Sequence, residues 1–95
     1  MPRVIFAPAA IGDIQRLREF LRPHHPDAAQ RAGAAIRQSL RRLATQPRMG
    51  RPIDELPDGF REWPIAFGDS GYVARYRVDG DQVTILAIRH QKELD

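Results

Sequence analysis

The chain has no cysteine, which excludes a disulfide framework and any thiolate-held metal centre. It lacks an apolar run near the roughly 18 residues that a membrane helix needs. Residues 1–8 also lack the apolar stretch of a signal peptide. A soluble, cytoplasmic protein with no membrane partner is the expectation. Lysine is almost absent: Lys92 is the only one. The positive charge is therefore carried by arginine, whose flat fork grips carboxylate or phosphate through two bonds at once. With 95 residues there is room for a single domain, residues 1–95, and no more. A domain this short buries roughly 60–68% of the surface its unfolded chain exposes, so a partner covering leftover apolar surface would matter to its persistence.

The net charge of +3 conceals a division along the chain. Residues 1–52 hold ten arginines against Asp13, Glu19 and Asp27, whereas residues 53–95 hold more acidic than basic groups. The first half should attract an acidic partner, either nucleic acid or an acidic protein segment.

Arg3 to Phe6 is a short β-favouring run between Pro2 and Pro8. Pro8 suits a first helical turn, where its missing N–H would be unpaired in any case. Ile11, Ile14, Leu17 and Leu21, widened by Ala10 and Phe20, then recur at helical spacing until Pro23. His24-His25-Pro26-Asp27 breaks the pattern, and Asp27 places a negative charge in the first turn of a second helix, where the helix dipole favours it. Ala29, Ala32, Ile36, Leu40 and Leu43 mark the apolar stripe of that helix, which stops before Pro47. Gly33 costs about 1 kcal/mol against alanine in a helix, so a closely packed neighbour is its expected reason. Two amphipathic helices joined this tightly should form an antiparallel hairpin.

Pro47 to Gly59 reads as a loop, followed by three strands. The first, Phe60 to Phe67, contains Pro64, which argues for an edge or a bulge. Gly68-Asp69-Ser70-Gly71 is a turn. Tyr72, Ala74, Tyr76 and Val78 share one face of the next strand, with Val73, Arg75 and Arg77 on the other. Asp79-Gly80 signals a hairpin, and Val83 to Arg89 completes the meander. The expected fold is α+β, in the order β-α-α-β-β-β, with an antiparallel sheet packed against an N-terminal helical hairpin. Trp63 and Tyr76 are expected in the core. His24 and His25 have no carboxylate cluster beside them, so no metal site is expected there.

Five pieces in this order resemble the RelE/ParE superfamily of toxins from type II toxin–antitoxin systems, the ParE-like branch more closely. They are Val4-Ile5-Phe6 with Pro8-Ala9-Ala10 and Asp13-Ile14; Leu40-Arg41-Arg42-Leu43-Ala44 with Pro47 and Gly50-Arg51-Pro52; Gly59-Phe60-Arg61-Glu62; Tyr72 to Val78; and Val83 to His90. The resemblance implies a growth-inhibiting toxin, of the kind used in plasmid stabilisation. It implies neutralisation by a ParD-like antitoxin whose DNA-binding dimer carries the complex to operator DNA, the toxin touching that DNA only through the antitoxin. No cofactor is implied. Two activities are known across the superfamily: inhibition of DNA gyrase, and ribosome-dependent cleavage of messenger RNA.

Metal-independent RNA cleavage needs a base for the 2′-hydroxyl, cations for the phosphate and an acid for the leaving oxygen. The residues available are His90 as acid, Arg61 and Arg75 as phosphate clamps, and Glu62 as base. Against cleavage, Gln91 stands where several ribonuclease members have a tyrosine able to stack on a base. Neighbouring Arg61 and Glu62 should also point to opposite faces of their strand. Gyrase inhibition requires only a binding surface, for which Arg61, Arg75, Arg77, Arg89 and His90 are candidates, as is the exposed side of the helical hairpin, and it is the preferred reading. An inactive relative retained for antitoxin binding is the third. Whichever holds, a groove between the helices and the sheet could take an amphipathic antitoxin helix, its acidic flank meeting Arg16, Arg37 and Arg41.

Overall fold

All five stripe residues of the second helix, Ala29, Ala32, Ile36, Leu40 and Leu43, are buried, so the helical spacing identified the face that meets the sheet. The computed structural model describes residues 3–21, 26–67 and 70–90. The elements run β1 (Arg3–Phe6), α1 (Pro8–Leu21), α2 (Pro26–Thr45), β2 (Arg51–Pro52), β3 (Phe60–Phe67), β4 (Ser70–Asp79) and β5 (Gln82–His90). The breaks expected at His24-His25 and Gly68-Asp69, like Gln91 and Lys92, lie outside the described residues.

The strands form one sheet in the order β1-β5-β4-β3-β2, with α1 and α2 packed on one face. The antiparallel expectation holds from β2 through β5. It does not hold for β1, which runs parallel to β5 with Val4 beside Val83 and Phe6 beside Ile85. The helical pair and the meander intervene between these two strands, so no tight turn obliges them to run in opposite directions. The expected loop also contains β2, whose Arg51 and Pro52 pair with Glu62 and Arg61. Because β2 reaches no further, β3 is an edge strand at Pro64, where a proline is tolerated.

Gly80 provides the left-handed residue (φ 59°) in the tight β4–β5 turn. A register shift follows between Arg75 and Tyr76: Arg75 pairs with Ala87 and Tyr76 with Ile85, leaving Leu86 as an extra residue. The bulge keeps Val83, Ile85 and Ile88 all turned inward despite their uneven spacing.

Beneath the helices the core comprises Ile36, Leu40, Leu43, Ile65, Tyr76, Val83, Ile85 and Ile88, all essentially inaccessible. Each large aliphatic side chain so buried contributes roughly 1.5–3 kcal/mol. Trp63 packs against this core. In α1, Ala10 and Leu17 are buried, but Ile11 is 47% exposed. Its place on the expected stripe is corrected: the sheet covers a narrower arc of α1 than the wheel suggested. Gly33 is buried, and a Cβ there would lie 3.6 Å from Arg18 Cδ. That is an ordinary van der Waals contact with α1, so alanine would fit here and the tight approach expected of this glycine is not found.

Candidate functional site

Strand alternation divides the candidate residues between two faces. Opposite the helices, the open face carries Phe60 and Glu62 from β3, Arg75 and Arg77 from β4, and Thr84, Ala87 and Arg89 from β5, as the pairings Phe60–Arg77, Glu62–Arg75, Arg77–Thr84, Arg75–Ala87 and Val73–Arg89 require. Arg75 Nε lies 3.9 Å from Glu62 Oε2, and Arg51 of β2 donates to the same carboxylate. That contact holds the Arg51 pKa above its ordinary value, chiefly through the hydrogen bond to Glu62. Arg77 is 3.7 Å from Asp79, and its guanidinium carbon sits 5.7 Å from the centre of the Phe60 ring. These exposed pairs add little stability. They hold the guanidinium groups in a defined array.

Arg61 is not part of that array. It pairs with Tyr76 on the helix side, and its Nη1 donates to the Gly50 carbonyl at 2.7 Å and the Arg48 carbonyl at 3.2 Å. Its Nε is buried without a hydrogen-bond partner. Arg61 secures the turn after α2. Tyr76 works beside it: its hydroxyl donates to the Pro47 carbonyl (2.8 Å) and accepts from the Gly50 N–H (2.9 Å). Burial raises the pKa of this phenol, against smaller opposing effects from the Gly50 N–H and the Arg61 charge.

His90 is also turned from the open face. It stands opposite Tyr72, with their rings edge-on at 5.5 Å between centroids. The four residues required for RNA cleavage are therefore split two and two. Glu62 and Arg75 share the open face, whereas Arg61 and His90 lie on the other. Even those two are separated along β4 by the four-residue step from Tyr72 to Tyr76, about 13 Å. Of the five residues expected to bind a target, Arg75, Arg77 and Arg89 share a face and Arg61 and His90 do not join them.

Arg89 reaches round the sheet edge to Asp13 of α1, Nη1 to Oδ1 3.1 Å. The other Asp13 oxygen accepts the Ile88 N–H at 3.0 Å, so this side chain satisfies the β5 edge where β1 has ended. Arg16 is 3.6 Å from Asp13. Sequence reasoning assigned no role to Asp13, Arg51 or Phe60. Arg51 sat in an apparent loop, and Asp13 acts on a residue 75 positions away, which no local pattern reveals.

A separate groove of about 410 Å³ opens between α2 and β1, lined by Val4, Phe6, Leu40 and Ala44 with Arg37 and Arg41 on its rim. Arg37 and Arg41 thus stand together on this rim, whereas Arg16 belongs to the Asp13 cluster. β1 forms the sheet's edge here, leaving its outer side without a strand.

The family model for the ParE toxin of the type II toxin–antitoxin system parDE matches residues 4–95. Toxin RelE3 of Caulobacter vibrioides is 38% identical over 93 residues, covering 98% of each chain. Toxin RelE1 of the same species is 36% identical over 90 residues, covering 95% of this chain and 94% of the relative. Among solved structures, the chromosomal ParDE toxin–antitoxin system from P. aeruginosa superimposes with a TM-score of 0.75 at 22% identity, covering 95% of this chain and 96% of that one. The E. coli RelBE toxin–antitoxin complex gives 0.61 at 17% identity, with 94% and 95% coverage.

Proposed function

Because the chain belongs to the ParE toxin family of type II toxin–antitoxin systems, we propose that it arrests growth by binding DNA gyrase and not by cutting RNA. The observation that supports this reading is the division of the candidate groups. General acid–base cleavage needs its acid, base and phosphate clamps within hydrogen-bond reach of one phosphate. Here the Glu62–Arg75 pair lies on the face opposite Arg61 and His90. A binding toxin needs no such convergence. The open face suits it, with Arg75 and Arg77 exposed, Arg51 beside Glu62, the Phe60 ring beside Arg77, and Arg89 at its edge on Asp13. Partner surfaces commonly combine arginine and aromatic groups in this way.

The name RelE carried by both Caulobacter relatives favours the second reading, ribosome-dependent cleavage of messenger RNA. A gyrase supercoiling assay run beside translation-dependent cleavage mapping separates the two. The expected result is inhibited supercoiling with no new RNA ends. New ends with unaffected gyrase would reverse the assignment. Expression without the antitoxin tests the third reading, an inactive relative, which requires normal growth.

The restraining partner in this proposal is a ParD-like antitoxin, and the groove between α2 and β1 is its seat. Val4, Phe6, Leu40 and Ala44 offer apolar contact, while Arg37 and Arg41 select an acidic flank. Operator DNA would be engaged by the antitoxin's own DNA-binding dimer. Charge reversal by Arg37→Glu and Arg41→Glu is expected to weaken antitoxin binding about 100-fold and flatten its salt dependence, measured by calorimetry at two salt concentrations. Unchanged affinity and salt dependence would remove the groove from the complex.

A further inference from the structure

The arginines of this protein fall into two electrostatic classes. Four on the sheet have acidic partners: Arg51 and Arg75 share Glu62, Arg77 has Asp79 and Arg89 has Asp13, while Arg61 is held by backbone carbonyls. Those of α2 differ. Between Ala28 and Ile53 the sequence holds Arg31, Arg37, Arg41, Arg42, Arg48 and Arg51 and no acidic residue. Among the described residues, Arg31, Arg37, Arg41 and Arg42 form no ion pair; the contact seen is from Arg31 Nε to the Asp27 carbonyl at 3.4 Å. Arg42 lies in the last turn of α2, where the helix dipole favours a cation. The dipole does not account for Arg31 or Arg37, which lie further back.

At 3.6 residues per turn, Ile36 and Leu43 face the core, and Arg31, Gln38, Arg41, Arg42 and Thr45 fall on the opposite side. All five of these are exposed. From Arg31 to Arg42 the stripe runs about 16 Å along the helix. It bears no large apolar side chain. The groove at β1 differs in having an apolar floor rimmed by Arg37 and Arg41, and the two surfaces meet at Arg41. A protein partner derives most of its affinity from apolar or aromatic anchors seated in pockets, and this outer face offers none. A phosphate backbone needs no anchor, because affinity comes from arginines that displace its counterions.

We propose that the outer face of α2 is a nucleic-acid backbone site, with Arg31, Arg41 and Arg42 contacting phosphates of a duplex. The toxin would then add sequence-independent contacts to DNA in its own right, beyond any made through an antitoxin. This surface is distinct from the open sheet face, so it stands whether or not gyrase is the target.

Fluorescence anisotropy of a labelled 25-base-pair DNA duplex, titrated with the purified full chain across salt concentrations, tests the idea. Three phosphate contacts give a slope of log K on log salt of about −2.7, so affinity should fall about 40-fold between 50 and 200 mM salt. Arg31→Gln with Arg42→Gln should leave about one contact and reduce that fall to about 4-fold. Arg31→Lys with Arg42→Lys keeps the charge and should retain the steep slope, which separates lost charge from a disturbed fold. An RNA duplex competing with a similarly steep salt dependence would support backbone recognition. Three results would overturn the proposal: no salt-dependent binding by the native chain, an unchanged slope in the glutamine variant, or an equal loss from Arg75→Gln with Arg77→Gln on the sheet. Loss of antitoxin affinity in the glutamine variant, with duplex binding intact, would instead assign the face to a protein.

Discussion

Gly50→Ala is expected to destabilise the protein by about 3 kcal/mol, more than most single substitutions do. Gly50 is buried at the turn where α2 gives way to β2, and its N–H donates to the hydroxyl of Tyr76. A Cβ at this position would lie 2.8 Å from both the Glu62 carbonyl oxygen and Tyr76 Cε1, and nearer still to the Tyr76 hydroxyl. Neither neighbour can withdraw cheaply. The carbonyl belongs to a paired strand, and the tyrosine is fully buried, with its hydroxyl also held on Pro47. Overpacking of this kind costs about 1–3 kcal/mol, and a weakened buried hydrogen bond adds roughly 1 kcal/mol. For a domain of this size the melting temperature should fall by about 12–24 °C, readable by circular dichroism. A fall under about 4 °C would mean that the turn relaxes freely and that Tyr76 does not lock it.

The largest functional effect is expected from Arg75→Glu combined with Arg77→Glu. These side chains are about half exposed and their strand is held in place by its inward residues Tyr72, Ala74 and Tyr76. The fold should therefore persist while the open face changes sign. Glu62 and Asp79 would then face like charges, so the array itself would spread. On the gyrase reading, the concentration needed for half inhibition should rise about 100-fold, which corresponds to about 2.7 kcal/mol, and growth arrest on expression should disappear. Arrest that persists at full strength, with the melting temperature unaltered, would move the target surface away from this face. His90→Ala is the informative companion. Its place opposite Tyr72 predicts arrest close to that of the native chain, whereas a catalytic acid would not tolerate removal.

Much of the architecture was legible because it rests on periodicity. The 3.6-residue stripe of α2 and the two-residue alternation of β4 each specify which side is buried, and the buried side chains are the ones those periods select. Five short pieces in the right order were enough for the family resemblance. Trp63 and Tyr76 were placed correctly against the core, because a large ring on the inward phase of a strand has no cheaper position.

The site was less legible, because position in the chain gives the phase of a residue along its strand and not what its end touches. Alternation alone predicted that Arg61 and Glu62 diverge. It could not show that Arg61 would be occupied by the carbonyls of Arg48 and Gly50, or that Glu62 would be shared by Arg51 and Arg75. Local pattern also could not reveal that β1 runs parallel to β5, or that Asp13 would complete the hydrogen bonding of the β5 edge. Periodicity is a property of neighbours, and so the elements and their inward faces were determined by the sequence alone. Partnership between residues tens of positions apart depends on how those elements close on one another, and that was decided only by the tertiary structure.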